Sequence, residues 1–157
     1  MAIRLYRAYS PGTRFRSTLY FNDLTKKKPE RNLTKGKKYF AGRNNRGIIT
    51  LRGRGGGHKR KYRIIDFQRK LTTSKSTVAS IEYDPNRNAR IALLHYENGV
   101  KKYILCPRSL KVGMSISSGV GVPLEVGNSM PLSVIPLGSS IHNVELTLCK
   151  GGQIARA

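Results

Sequence analysis

Between Gly42 and Arg63 the chain reads GRNNRGIITLRGRGGGHKRKYR. This stretch holds eight cations, Arg43, Arg46, Arg52, Arg54, Lys59, Arg60, Lys61 and Arg63, and no acid. Six glycines accompany them, three in a row at Gly55, Gly56 and Gly57. Cations this dense repel one another unless an anion lies among them. A guanidinium is a planar fork that matches phosphate oxygens, and a lysine adds a point charge. Glycine removes the side-chain wall, so the backbone can come close to a ligand. Successive amides in such a loop form anion-binding nests. Asn44 and Asn45 bring donors and acceptors for base edges or 2′-hydroxyls, and the His58 ring can stack on or hydrogen-bond a base. The chemistry implied is a loop that follows a nucleic-acid backbone. The plainer reading is a solvated basic segment. A nucleotide-binding phosphate loop fits poorly, because Lys59 is followed by Arg60 where that motif needs Ser or Thr.

The rival class is a basic nuclease or nucleotidyl transferase, which needs clustered carboxylates or paired bases. The acids are scattered: Asp23, Glu30, Asp66, Glu82, Asp84, Glu97, Glu125 and Glu145. Only Glu82 and Asp84 share a strand face. They flank a turn and have no histidine near them in sequence, so no residue is assigned a catalytic role. Cys106 and Cys149 lack a CxxC partner, so no metal or other cofactor is expected. Both fall at apolar strand positions and read as buried thiols; a disulfide is the alternative, but nothing else suggests an oxidising compartment.

The elements that must position the loop follow from charge and hydropathy. The chain has 157 residues, a net charge of +22 and a pI near 10.7. That excess points to a polyanionic partner. A membrane surface would ask for a basic amphipathic helix or a lipidation signal, and neither is found. Residues 1–70 carry 21 basic and 3 acidic residues, which is +18 of the +22. Ile, Leu, Val and Phe supply 11 of the first 57 residues and 27 of residues 58–148. Residues 1–57 are therefore expected to be an extended basic arm that orders on its partner. KKK at 26–28 and KGKK at 35–38 serve as phosphate contacts, with interleaved aromatics that stack on bases.

From Arg60 onward the pattern turns to strands. Tyr62 to Phe67 alternates as a half-buried strand, and Thr72–Ser76 reads as a polar turn. Strands are expected at 78–84, 89–96, 100–106 and 114–117, with a hairpin at Glu97-Asn98-Gly99. Five short antiparallel strands in this span suit a small closed barrel of OB type. In the PNRN turn Asp84 holds the backbone, while Asn86 and Arg87 are expected to project toward RNA. Lys101 and Lys102 point to opposite faces. His95 reads as a satisfied strand residue, and His142 as either a strand end or an RNA contact. Val134–Leu137 and Ile141–Leu148 read as strands of a second, unfinished barrel. The organisation is thus mainly β: an arm at 1–57, an OB-type barrel at 58–120, and the beginning of a second barrel at 121–157.

Several segments carry a closer likeness. GRNNRGIIT at 42–50, GGGHKRKYRIIDF at 55–67, EYDPNRNARIALLHYENGVKKYIL at 82–105, PLGSSIHNVEL at 136–146 and KGGQIARA at 150–157 resemble the ribosomal protein L2 family of the large subunit. The opening MAIRLYRAYSPGTR is similar to plastid-encoded versions. The resemblance implies direct binding of large-subunit rRNA, neighbouring ribosomal proteins as partners, and an SH3-like second barrel. It also implies support of subunit association, tRNA binding and assembly of the peptidyl transferase region. In the C-terminal segment it extends the RNA-binding set to Lys150, Gln153 and Arg156. The setting implied is a plastid ribosome, with a mitochondrial or bacterial one as alternatives. Family members are usually much longer, and their DHPHGGG motif is absent here, so nothing is carried over for its histidine. A second polypeptide or a continuation of this chain is expected to complete the second barrel. An OB-barrel translation or assembly factor that binds single-stranded RNA is the alternative function, and a ribonuclease the remote one.

Overall fold

The computed structural model of the chain describes residues 3–70 and 74–156. Among the described residues eight strands form: β1 (Ile3–Leu5), β2 (Ser17–Leu19), β3 (Thr34–Gly36), β4 (Lys61–Arg63), β5 (Ser76–Glu82), β6 (Ile91–Tyr96), β7 (Lys101–Leu105) and β8 (Ser115–Ile116). β1 pairs with β2 and β3 with β4, while the main sheet runs β7-β6-β5-β8, all antiparallel. A parallel bridge from Ile65 to Tyr103 continues the β4 segment alongside β7. The sheet curls as a half-barrel of OB type. One cause is visible in the β5–β6 register, where Val78 faces Leu94 and Ser80 faces Leu93, leaving Ala79 as an extra residue. Such a bulge bends and twists its strand.

The β6–β7 hairpin forms where Glu97-Asn98-Gly99 marks it. Gly99 takes φ 79°, and Tyr96 and Val100 close the turn with a 2.9 Å amide–carbonyl bond. β5, β6, β7 and β8 lie within a residue or two of their expected positions. Thr72 and Thr73 of the expected polar turn lie outside the described residues, and Ser76 already belongs to β5.

Ile91, Ala92, Leu93 and Leu94 are all buried, so both faces of β6 are covered. One face packs Val78, Ala92, Leu94, Tyr96, Ile104, Leu110 and Ile116, with Cys106 at its margin. The other packs Ile65, Ile91, Leu93, Tyr103 and Leu105 beneath Leu33 and Phe67. Leu33 lies within the segment expected to be a free arm, and there the expectation needs correcting. The Thr25 amide donates to Ile81 O at 3.1 Å, and the Ile81 amide donates to Thr25 Oγ1 at 2.9 Å. The Glu30 amide donates to Tyr103 Oη at 2.8 Å. A strand buried on both faces needs a second apolar cover, and the segment from Thr25 to Gly36 supplies it.

Two other expectations change. Residues 134–148 form no strands. Leu132–Val134 is a 3₁₀ turn, the Ser139 amide closes a turn on Pro136 O, and only Val144 bridges to Ile154. Pro131 and Pro136 lack the amides that a ladder needs. Cys149 is exposed with φ 60°, whereas Cys106 is partly buried and its thiol is pushed up to about 11 by that burial.

Candidate RNA interface

Residues 37–60 project from the β3–β4 hairpin and stay almost wholly exposed. They do not run as an open thread. Gly42 O accepts the amides of Thr50 and Leu51 at 2.9 and 3.0 Å, and Arg43 bridges to Ile49. Asn44 Oδ1 accepts the amides of Arg46 and Ile48, each at 3.0 Å. The Asn44 side-chain oxygen is therefore spent on the loop's own turn, which corrects its assignment as a base reader. Gly42, at φ 71°, lies where a Cβ would collide with the Leu51 carbonyl. Gly55, at φ 116°, lies where a Cβ would come within 2.9 Å of the Ala41 side chain. These two glycines let the loop cross itself, and the crossing fixes how Arg43, Arg46, Arg52 and Arg54 are splayed outward.

Beyond the crossing, Gly55, Gly56, Gly57, His58 and Lys59 are exposed. Their amides donate to no backbone carbonyl among the described residues. His58 Nδ1 lies 3.0 Å from Lys59 O. This run presents open donors flanked by cations, as an anion-binding nest requires. Arg60 then reaches the PNRN turn, where its Nη1 donates to Pro85 O at 3.0 Å. Arg60, Pro85, Asn86, Arg87 and Asn88 line an open cleft of about 330 Å³. Asn88, in the same turn, is exposed and belongs to this rim, although its residue type alone does not set it apart from Asn86.

Three expected contacts are otherwise engaged. Arg87 does not project into solvent. Its Nε donates to Asp84 Oδ2 at 2.5 Å, and the two side chains are 7% and 0% exposed. A buried carboxylate needs a counter-charge, which is the buried work that the turn arginine performs. Asn86 donates through its backbone amide to Asp84 Oδ1 at 2.9 Å, and through Nδ2 to Lys61 O at 2.8 Å. It staples the turn to β4, as one wall of the cleft. Arg63 is buried, with Nη1 on Lys61 O at 2.8 Å, because its place on β4 points it inward.

Two further acids, Asp66 and Glu30, brace cations on the sheet. Lys102 Nζ donates to Asp66 Oδ2 at 2.6 Å, while Lys101 and Lys26 each approach Glu30 at 3.5 Å. The two adjacent lysines do point to opposite faces. Burial pushes the Glu30 carboxyl up, but the Lys101 and Lys26 charges outweigh it and leave it below its ordinary value. Tyr103 Oη donates to Glu82 Oε2 at 2.6 Å, and Ser80 Oγ donates to Oε1 at 3.1 Å. Burial and the Glu82 carboxylate drive the Tyr103 phenol up, so it stays a donor. His95 is exposed on β6. The His142 imidazole, although exposed by surface area, is lowered from its ordinary value by partial desolvation and by the Arg69 cation.

At the C-terminal end, Lys150 is exposed, the Gln153 amide is bonded to Val144 O at 2.8 Å, and Arg156 lies 4.7 Å over the Phe67 ring. Arg156 thus lies beside Phe67, and the neighbouring Gly152 amide donates to Phe67 O at 3.1 Å.

The family model for the RNA-binding N-terminal domain of ribosomal proteins L2 matches residues 30–118, more than half of the chain. The chain belongs to the ribosomal protein L2 family. The matched L2 region begins at Glu30 and ends at Ser118, so it takes in β3 to β8, the exposed loop and the PNRN cleft. Its start agrees with the docking of Glu30 and Leu33 on the sheet. The β1–β2 hairpin and the C-terminal residues from Gly119 lie outside the matched L2 region.

Proposed function

We infer that this chain is a structural component of the large ribosomal subunit and binds large-subunit rRNA directly. The observation that carries the reading is an acid-free loop, residues 37–60, displayed on a domain that matches the RNA-binding part of L2. The interface comprises Arg43, Asn45, Arg46, Arg52 and Arg54, the nest from Gly55 to Lys59, and Arg60 with the rim of the PNRN cleft. Lys150, Gln153 and Arg156 form a second contact. Arg63, Arg87 and Asn44 act by shaping these surfaces. Support of subunit association, tRNA binding and assembly of the peptidyl transferase region follows from the family resemblance. The likeness of residues 1–14 to plastid-encoded versions favours a plastid ribosome. The units of action are the exposed basic N-terminal part, the OB-type barrel, and the C-terminal residues, with neighbouring ribosomal proteins or further chain against the exposed apolar side chains of 120–154. A catalytic role is not assigned: Glu82 is held by Tyr103 and Ser80, and Asp84 by Arg87 and Asn86.

The test is the salt dependence of binding to a large-subunit rRNA transcript. With about ten phosphates neutralised, log K falls against log salt with a slope of about −7 to −9. A slope shallower than about −3 overturns the reading. A ribosomal protein also stays with large subunits on sedimentation in moderate salt, where a translation factor washes off.

A further inference from the structure

Phe21 and Tyr83 meet edge to face, with ring centroids 5.4 Å apart and planes at 73°. Both rings are half exposed, at 50% and 44%. The guanidinium of Arg90 lies 4.9 Å from the Phe21 centroid and 5.7 Å from that of Tyr83. Arg90 is itself 7% exposed, and its Nε and Nη2 have no hydrogen-bond partner. Among the described residues no carboxylate lies within ion-pairing distance of it. We propose that Phe21, Tyr83 and Arg90 form a stacking platform for one unpaired nucleobase of rRNA, a subsite that rests on the rRNA-binding reading above.

Both rings are held in place by buried chemistry beside them. Tyr83 sits between Glu82 and Asp84, the two most deeply buried carboxylates, so alternation along the strand turns its ring outward. Phe21 precedes Thr25, whose paired bonds to Ile81 lock the segment onto β5. Two rings fixed before binding lose little freedom when a base arrives. Aromatic pairs in a core serve packing, but half-exposed rings over a buried cation leave a face for a ligand. The cation selects what that ligand is. A buried guanidinium without a counter-ion is costly, and a nucleotide brings a π-face for the rings and a negative charge whose field reaches the cation through them, without direct contact. Lys27 and Lys28, exposed a few residues on from Phe21, supply further phosphate contacts. An apolar protein partner would cover the rings but leave the charge unmet, so a nucleotide is favoured.

The experiment uses the full chain bound to a large-subunit rRNA transcript, and the same complex within assembled large subunits. Zero-length ultraviolet crosslinking should join Phe21 or Tyr83 to an unpaired base. The Phe21→Ala/Tyr83→Ala variant should bind the transcript roughly 5- to 150-fold more weakly. Its salt slope should stay that of the wild type, since no phosphate contact is removed. A thermal melt within a few degrees of wild type checks that the variant is folded. Should it unfold, crosslinking of the wild type alone decides the matter. The proposal is overturned by unchanged affinity with no crosslink at either ring, and equally by crosslinks from these rings to a ribosomal protein alone. In either case a steep wild-type salt slope leaves the rRNA-binding reading standing. A shallow wild-type slope is the separate failure of that reading.

Discussion

Replacing Arg87 by Ala distinguishes a residue that touches RNA from one that holds the domain together. The Asp84 carboxylate is 0% exposed and takes its charge partner from Arg87 at 2.5 Å. After the substitution Asp84 keeps the amide and Nδ2 of Asn86, at 2.9 and 3.1 Å, but no cation. Removing one partner of a buried pair costs about 3–5 kcal/mol. The surviving hydrogen bonds place this case near the lower end, at about 3 kcal/mol. For a domain of this size each kcal/mol moves Tm by about 4–8 °C, so a fall of about 12–24 °C is expected. The double variant Asp84→Asn/Arg87→Ala removes the stranded charge and should recover about 1–2 kcal/mol. Thermal melts of wild type, the two single variants and the double variant read the cycle, and filter binding measures rRNA affinity of whatever remains folded. If Arg87→Ala melts within about 0.5 kcal/mol of wild type while losing tenfold or more in RNA affinity, Arg87 is an RNA contact and the assignment to Asp84 is wrong.

Arg46→Ala and Arg54→Ala each remove an exposed loop cation, so each should reduce the magnitude of the salt slope by about 1 with Tm unchanged; a lower Tm would mean that the loop is part of the core. Tyr103→Phe leaves Glu82 with Ser80 alone and strips an acceptor from the Glu30 amide, for a loss of about 1–3 kcal/mol by chemical denaturation; a neutral result would show that the network is not worth its burial. Burial pushes Asp66 up, but the Lys102 ammonium and the amides of Arg69 and Gln68 outweigh it and hold it below its usual 3.8. Its ion pair therefore contributes stability above that value and loses it as pH falls through the depressed folded pKa. Asp66→Asn should flatten the acid limb of a Tm-against-pH plot, and an unaltered limb would contradict the ion pair. Hydrogen exchange on the free protein should protect the Ile64 and Ile81 amides and leave residues 52–60 open; uniform protection would show that the loop folds without RNA.

The barrel strands were legible because a strand that packs on both faces is a plain apolar run, as ARIALLHY is. The hairpin was legible because Asn98-Gly99 fits one turn type. Other features hide from a pattern of single residues. Thr25 and Leu33 look like members of a charged arm, and only the need of β6 for a second cover reveals their place. Arg63 and Arg87 carry the same side chain as Arg46, yet strand phase and a neighbouring aspartate turn them inward. Asn44 shows the same ambiguity, since its amide suits a base edge or a turn equally well. At the C-terminal end the apolar residues suggest strands, but Pro131 and Pro136 deny the ladder and Val144 finds its bridge in Ile154 instead.

The distribution of acids has a consequence for how the protein meets its partner. Residues 76–105, which form the central hairpins, hold four cations and three acids, while residues 37–60 hold eight cations and no acid. The carboxylates Glu30, Asp66 and Asp84 are all committed to cations at the sheet, so none of them dulls the loop. The central hairpins are thus nearly neutral, while the loop alone carries +8 of the chain's net charge of +22. In the field of a polyanion such a body feels a torque as well as a pull. Charge concentrated in this way biases the orientation of an encounter, and electrostatic steering raises encounter rates by about 10- to 1,000-fold at low ionic strength. The few acids of this chain therefore set the direction of approach by where they are missing.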